Sequence, residues 1–419
     1  MPGGRLEEPR AGNYIRLNTA APTYNQAEKA ACESVTALLD YCRRNGWAGF
    51  DPYDALNSRV FELTPFSKSR ICRIAITQIM KRLPINLRPL LSVSREQNPK
   101  ALAIFLGAFL KLSRLGLINT YGNLIGTMIE KLADLRSPDT PYWCWGYSFP
   151  WQTRTILVPK GAANLVCTTF VADALLDAYE SERAPRCLDM AASAGEYMLN
   201  ELFWTEGGSL AGFSYPLPSL RTRVHNANFL GAALFCRIYR HTGEKKFLSP
   251  ALRAARYSAA RQLDDGSWHY GELPTQRWVD NFHTGYNLCA LRSICRDAGT
   301  TEFDSHIRRG FAFYLKRFFR EDGAPGYFHD RLYPIDIHSV AQSIITLLEL
   351  KDLDEASTGQ AHSVFRWAMD HMWDKEGYFY YRVLPFYKVK IPYMRWSQAW
   401  MLLALATFLE HCTRDAAGT

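Results

Sequence analysis

No stretch of this 419-residue chain reaches the roughly 18 uncharged apolar residues that a membrane-spanning helix needs. The N-terminus carries no basic-then-apolar signal pattern. Low-complexity runs are missing, so looseness is expected only at the ends, residues 1–24 and 413–419. The ten cysteines never form a CxxC pair, and Cys72, Cys167, Cys236 and Cys289 fall inside apolar helical patterns. That speaks against a zinc ribbon or a disulfide framework and for buried, reduced thiols in a cytoplasmic protein. No Lys/Arg block exists to track a nucleic acid, although the net charge is +8. A diffuse basic excess of that kind suits an anionic partner such as an acidic glycan, a nucleotide-sugar or a membrane surface.

No linker divides the chain either, so residues 25–412 are expected to form one domain. Hydrophobic residues make up 47% of it and recur at helical spacing. The pattern predicts twelve helices over 70–83, 98–114, 119–136, 164–181, 186–203, 225–241, 245–262, 281–298, 301–318, 336–351, 357–372 and 395–411. They read as six consecutive pairs whose second members are the more apolar. Ser339–Leu350 and Trp396–Leu409 are apolar nearly all round and should be buried on every side. First members such as 301–318, with Arg308, Arg309, Lys316 and Arg317, are amphipathic.

Within the later pairs, Gly and aromatic loops recur at Trp204–Gly208, Leu263–Trp268, Arg320–Tyr327 and Trp373–Tyr378. Equivalent points on the second helices (Asn164, His225, His283, His338, Ser397) repeat roughly every 55–62 residues. Six outer/inner hairpins closing on themselves make an all-α (α/α)6 toroid. Residues 25–62 are expected as an N-terminal helical arm packed on the barrel or lining its mouth. An open solenoid would leave the apolar second helices exposed.

In such a toroid the loops entering the inner helices gather at one end of a central funnel. They carry much of the chain's 13% aromatic content beside carboxylates, amides and arginines. A sugar needs that mixture, because its C–H faces stack on rings while its hydroxyls need polar partners. The expected binding residues are Asp51, Tyr53, Trp145, Trp151, Gln152, Arg154, Asn226, Trp268, Asn281, Arg395, Trp396 and Gln398. Trp145, Trp268 and Trp396 would be stacking platforms, and Arg154 and Arg395 would hold an anionic group.

Asp280 and Asp336 precede equivalent inner helices, so both could face one cavity as a catalytic acid/base pair or as plain helix caps. His283 and Tyr286 follow Asp280 as proton-transfer partners, and His225 and His338 would complete the catalytic wall. The three histidines lack HxxxH or HxH spacing, and no metal or cofactor is expected. Hydrolysis, elimination and epimerisation of a glycan or oligosaccharide all stay open, as does a non-catalytic glycan-binding scaffold.

Gln262–Trp268 matches the QxxxGxW repeat of triterpene cyclases, which are also α/α toroids, but it occurs once and the acidic DxDD motif is missing. An isoprenoid-handling toroid would line its funnel with Leu, Phe and Met. Gly46–Asp54, Trp143–Tyr147, Phe149–Gln152, Val158–Gly161 and Asp280–His283 resemble the VpsJ-like family of bacterial exopolysaccharide and capsule gene clusters. That resemblance implies a toroid of surface-polysaccharide biosynthesis, cytoplasmic or peripheral to the inner membrane, with other biosynthesis proteins as possible partners. It brings no catalytic set with it.

Overall fold

The computed structural model describes residues 26–417 apart from Ser209. Fourteen helices fall in this range: α1 Gln26–Arg44, α2 Arg59–Glu62, α3 Arg70–Arg82, α4 Pro99–Arg114, α5 Leu124–Asp134, α6 Leu165–Glu182, α7 Pro185–Tyr197, α8 His225–Thr242, α9 Lys245–Ala259, α10 Asn281–Ala298, α11 Asp304–Phe318, α12 Ile337–Glu349, α13 Ser357–Met372 and α14 Trp400–Ala417. The strands are two to four residues long: β1 Trp151–Gln152, β2 Leu157–Val158, β3 Phe203–Glu206, β4 Leu210–Phe213, β5 Ile335–Asp336, β6 Trp373–Asp374, β7 Tyr378–Phe379, β8 Arg382–Val383 and β9 Lys388–Val389. They pair antiparallel as β1–β2, β3–β4, β5–β8–β9 and β6–β7.

Helices α4, α6, α8, α10, α12 and α14 pack each on the next, and α14 packs back on α4 to close a ring. Most of their side chains are buried whichever way they face (α4 is covered from Pro99 to Leu110), which only an inner position allows. An outer helix lies on each: α5 on α4, α7 on α6, α9 on α8, α11 on α10, α13 on α12 and α1 on α14. The chain is an (α/α)6 toroid. Among the described residues, no helix is long and apolar enough to cross a membrane.

One expectation changes. The sixth outer position belongs to α1, inside the presumed arm, and not to the helix at 70–83. Helix α3 instead packs on the 54–57 turn and β1, over a small separate core of Ala55, Met80 and Val93. Three glycines show why the ring closes through α1. Gly266, Gly323 and Gly377 end successive outer helices at φ +92°, +89° and +88°. A Cβ on them would lie 2.4, 2.6 and 2.8 Å from backbone atoms of Arg309, Ser363 and Ala37, on α11, α13 and α1. Positive φ and close backbone approach both require glycine. The same contact, made three times, places α1 after α13 in the outer ring.

Helix α14 continues to Ala417, while residues 1–25 and 418–419, which hold the expected N-terminal tail 1–24, lie outside the described residues. The inner-to-outer turns are short, as at Arg183–Ala184 and Gly243–Glu244. The outer-to-inner connections are long, and all six contribute to a single cavity at one end of the ring.

Candidate functional site

The cavity has a volume of about 390 Å³, toward the low end for ligand sites. Tyr53 comes from the first long connection, Tyr147, Phe149 and Trp151 from the second and Tyr215 from the third. Tyr270, Trp278, Tyr327, Phe328 and Trp396 come from the remaining three. Of the Leu, Phe and Met expected for an isoprenoid funnel, the cavity has Phe149, Phe282 and Phe328 but no Leu or Met among the described residues. Lys100, Asn226, Asp280, His283, His338 and Arg395 give it many polar groups. Three buried polar atoms of wall residues lack partners among the described residues: the Asn226 Oδ1 acceptor, the Trp151 Nε1 donor and His338 Nδ1. Buried polar atoms are normally paired, so the Asn226 acceptor and the Trp151 donor suit a ligand hydroxyl.

Asp280 caps α10, as its position before an apolar helix requires. Its Oδ1 accepts from the His283 backbone N–H at 2.9 Å. Its Oδ2 accepts from Trp278 Nε1 at 2.9 Å and meets His283 Nδ1 at 2.7 Å. The carboxylate therefore fixes Nδ1 as the protonated nitrogen of neutral His283. Nε2 is left with no hydrogen bond among the described residues, on a ring that lines the cavity. Trp278 is held in turn by stacking on Tyr270, with centroids 4.6 Å apart and an interplanar angle of 12°.

Below this pair, Tyr286 Oη lies 2.6 Å from His338 Nε2. His338 is sandwiched between Phe282 and Trp400, each 4.5 Å away. Burial, followed by the nearby Lys100 and Arg395 charges, drives its pKa well below the ordinary value. His338 Nδ1 has no partner among the described residues. An orphaned lone pair costs less than an orphaned N–H, which assigns the proton to Nε2. Nε2–H then donates to Tyr286, whose own hydroxyl proton is free for a ligand. Burial also raises the Tyr286 pKa well above its usual value, so the phenol stays protonated.

Two cations complete the wall. Arg395 is held by Asp51 through Nε at 2.7 Å and Nη2 at 2.8 Å, a bidentate clamp. Lys100, at the start of α4, is 3% exposed, and its Nζ lies 3.9 Å from the Phe170 ring centroid and 5.6 Å from that of Tyr286. It has no ion pair or side-chain hydrogen bond among the described residues. Burial first, and the Arg395 charge second, lower its pKa well below the ordinary value. An anionic ligand group beside it would favour its charged form.

The structure thus brings together Asp280, His283, Tyr286, His338, Tyr53, Trp151, Asn226, Arg395 and Trp396. Other expected residues serve the scaffold. Asp336, expected as a second acid, is fully buried and does not reach the cavity wall. Its Oδ2 accepts from Arg382 at 2.6 and 3.0 Å, and its Oδ1 from Trp396 Nε1 at 2.8 Å and the His338 N–H at 2.9 Å. His225 is buried off the cavity, with Nδ1 3.2 Å from Ser258 Oγ, so the three histidines do not meet. Asp51 lies off the cavity wall, where its carboxylate accepts from Arg395 and from the Tyr53 N–H.

Trp145 and Trp268 are buried away from the cavity and donate to the Leu132 and Ser258 carbonyls, so neither is a platform. Trp268 belongs to the end of an outer helix, where Gln262 Nε2 donates to the Gly266 and His306 carbonyls, both at 2.9 Å. Gln398 bonds both ways to the Phe379 backbone. Asn281 accepts from Tyr314 and Ser343, and Gln152 accepts from Arg73. Arg154 is exposed in the β1–β2 turn.

The sequence reading passed over Lys100, Tyr215 and Tyr270. Lys100 had a signal, as the one charge in the long run Pro99–Leu110. A lysine in a helix's first turn ordinarily reads as one that reaches out to solvent.

No protein-family model matches the chain, and no curated protein matches it. Solved structures do. The chain is similar to cellobiose 2-epimerase from Spirochaeta thermophila (15% identity, 76% of this chain and 87% of that one, TM-score 0.56). It is also similar to a family 76 glycoside hydrolase (mannosidase) from Bacteroides thetaiotaomicron (13% identity, 94% and 100%, TM-score 0.60). A third likeness is to unsaturated glucuronyl hydrolase from Streptococcus agalactiae (11% identity, 95% and 96%, TM-score 0.56). At such identities the likeness is one of fold, and by fold this chain stands with these proteins as an (α/α)6 toroid.

Proposed function

We propose that the chain is a carbohydrate-active isomerase or epimerase that binds the end of a small, acidic saccharide and works by proton transfer. The carrying observation is the Asp280–His283 pair, a histidine oriented by a buried carboxylate with its free Nε2 in an aromatic cavity. Such a nitrogen, with its lone pair directed at the cavity, is placed to act as a general base. It would take the proton from the carbon beside the carbonyl of an open-chain sugar. The C–H electron pair moves toward the carbonyl oxygen, and Lys100 and Arg395 favour the resulting negative charge. Tyr286, holding its proton and backed by His338, is the donor suited to reprotonation. The partnerless Lys100 amine supports an acidic sugar.

Hydrolysis by two carboxylates has less support. Asp280 is the one carboxylate of the cavity wall among the described residues, and both oxygens of Asp336 are engaged elsewhere. The fold likeness to cellobiose 2-epimerase supports the epimerase class, and the likeness to hydrolases keeps cleavage as an outcome to test. The resemblance of Gly46–Asp54, Trp143–Tyr147 and Asp280–His283 to the VpsJ-like family would suit a substrate among the sugars of surface polysaccharides.

Proton NMR of reducing saccharides incubated with the protein in D₂O tests the reading. Deuterium entering a ring carbon without cleavage is expected. New reducing ends would mean hydrolysis, and unsaturated-sugar signals a lyase. Binding without reaction would mean a glycan-binding subunit.

A further inference from the structure

The exposed apolar surface is unevenly spread. Seven of the exposed large apolar side chains lie between Val60 and Leu90, in the excursion that separates α1 from α4. Leu63, Leu90 and Ile71 are 89%, 77% and 73% exposed. On α3, exposed Ile71, Ala75 and Ile79 recur four residues apart and form one stripe, while Thr77 and Met80 face inward. The β8–β9 tip adds Phe386, 97% exposed, beside Tyr387, whose hydroxyl donates to the Arg82 carbonyl at 3.1 Å. Single exposed apolar residues are ordinary, but a cluster of this size marks a surface to be covered.

The charge of the segment says by what. Residues 59–95 hold eight basic residues and one acid, Glu62, and so carry seven of the chain's eight net positive charges. Arg88 pairs with Asp54, Arg73 bonds Gln152, and Lys81 lies over the Tyr53 ring. Arg59, Lys68, Arg70, Arg82 and Arg95 are exposed, and none forms an ion pair among the described residues.

We propose that this segment docks on an anionic lipid bilayer, its Leu, Ile and Phe side chains entering the headgroup region and its five exposed cations without ion pairs lying among lipid phosphates. Two of these cations, Arg82 and Arg95, bond only the neutral Gln78 and Asn45. A nucleic acid would leave the apolar stripe uncovered. A second copy, using the same face, would set these cations against one another. Lys81 of α3 sits 3.9 Å from the centroid of Tyr53, a cavity-wall residue, so docking holds the cavity close to the bilayer. Docking stands whether or not the cavity takes a sugar.

Flotation of the full chain with vesicles tests this, comparing phosphatidylcholine alone with phosphatidylcholine plus phosphatidylglycerol. The chain is expected to float with the anionic vesicles only and to be released by added salt. Arg70→Gln lowers the partition about fivefold, while Arg308→Gln, an equal charge change on α11, leaves it unchanged. Ile71→Ser combined with Ile79→Ser also lowers it at constant charge, and thermal melts confirm that each surface variant is folded. Equal flotation with both vesicles, flotation with neither, or equal loss in Arg70→Gln and Arg308→Gln overturns the proposal. So does a solution dimer that Ile79→Ser dissociates without any vesicle binding.

Discussion

Replacing Asp280 by Asn keeps the side chain's shape and removes its charge. In the native site the carboxylate accepts three hydrogen bonds: from the His283 N–H, from Trp278 Nε1 and from His283 Nδ1. Asn can still cap α10 through its oxygen. Its NH₂ then faces the indole N–H, donor against donor, and one buried group goes unpaired at a cost of about 1–3 kcal/mol. The same NH₂ donates to His283 Nδ1 and moves the ring proton to Nε2, where it blocks proton acceptance. Such a tautomer switch is worth on the order of a ten-thousandfold loss in turnover. Nitrogen-15 NMR of the histidine rings reads the switch without a substrate, solvent-deuterium exchange into the sugar reads turnover, and urea unfolding reads stability. Asp280→Asn with an unchanged His283 tautomer and turnover within tenfold of wild type would refute the reasoning.

Asp336→Ala leaves Arg382 without its carboxylate in a nearly buried site, and urea unfolding should show a loss of about 3–5 kcal/mol. Lys100→Met exchanges a partnerless buried amine for an apolar chain of similar length. Stability is expected to rise by about 1 kcal/mol while exchange into the sugar falls, and a loss of stability would mean that Lys100 has a structural role. Burial lowers the His225 pKa from 6.5 to about 4. The unfolded chain therefore binds more protons between these values, so stability falls as pH drops through that window, by at most about 3 kcal/mol. Urea midpoints across pH 4 to 7 should show this slope, and His225→Gln should remove it.

The ring was legible because periodicity reports burial, and inner helices such as 339–350 are apolar on every face. Which amphipathic helix completes the outer ring was not, because α1 and α3 carry similar patterns. The packing of α1 on α14 and the Gly377 approach to Ala37 separate them. The two caps illustrate the same limit. Asp280 and Asp336 begin equivalent helices and look alike in sequence. Arg382 and Trp396, which engage Asp336, arrive from 46 and 60 residues further along. The aromatic loops were recognised, yet Trp268 turns into the core while Tyr270, two residues on, lines the cavity. Local spacing places residues at the mouth, and long-range packing decides which ones face inward.

The central claim is that His283 Nε2 moves a proton on a bound sugar. Its most direct test compares wild-type protein and His283→Gln for solvent-deuterium incorporation into saccharides that the cavity binds. The account predicts incorporation at a carbon beside the carbonyl in wild type, and its loss in His283→Gln with binding and folding retained. Incorporation that survives in His283→Gln would contradict it.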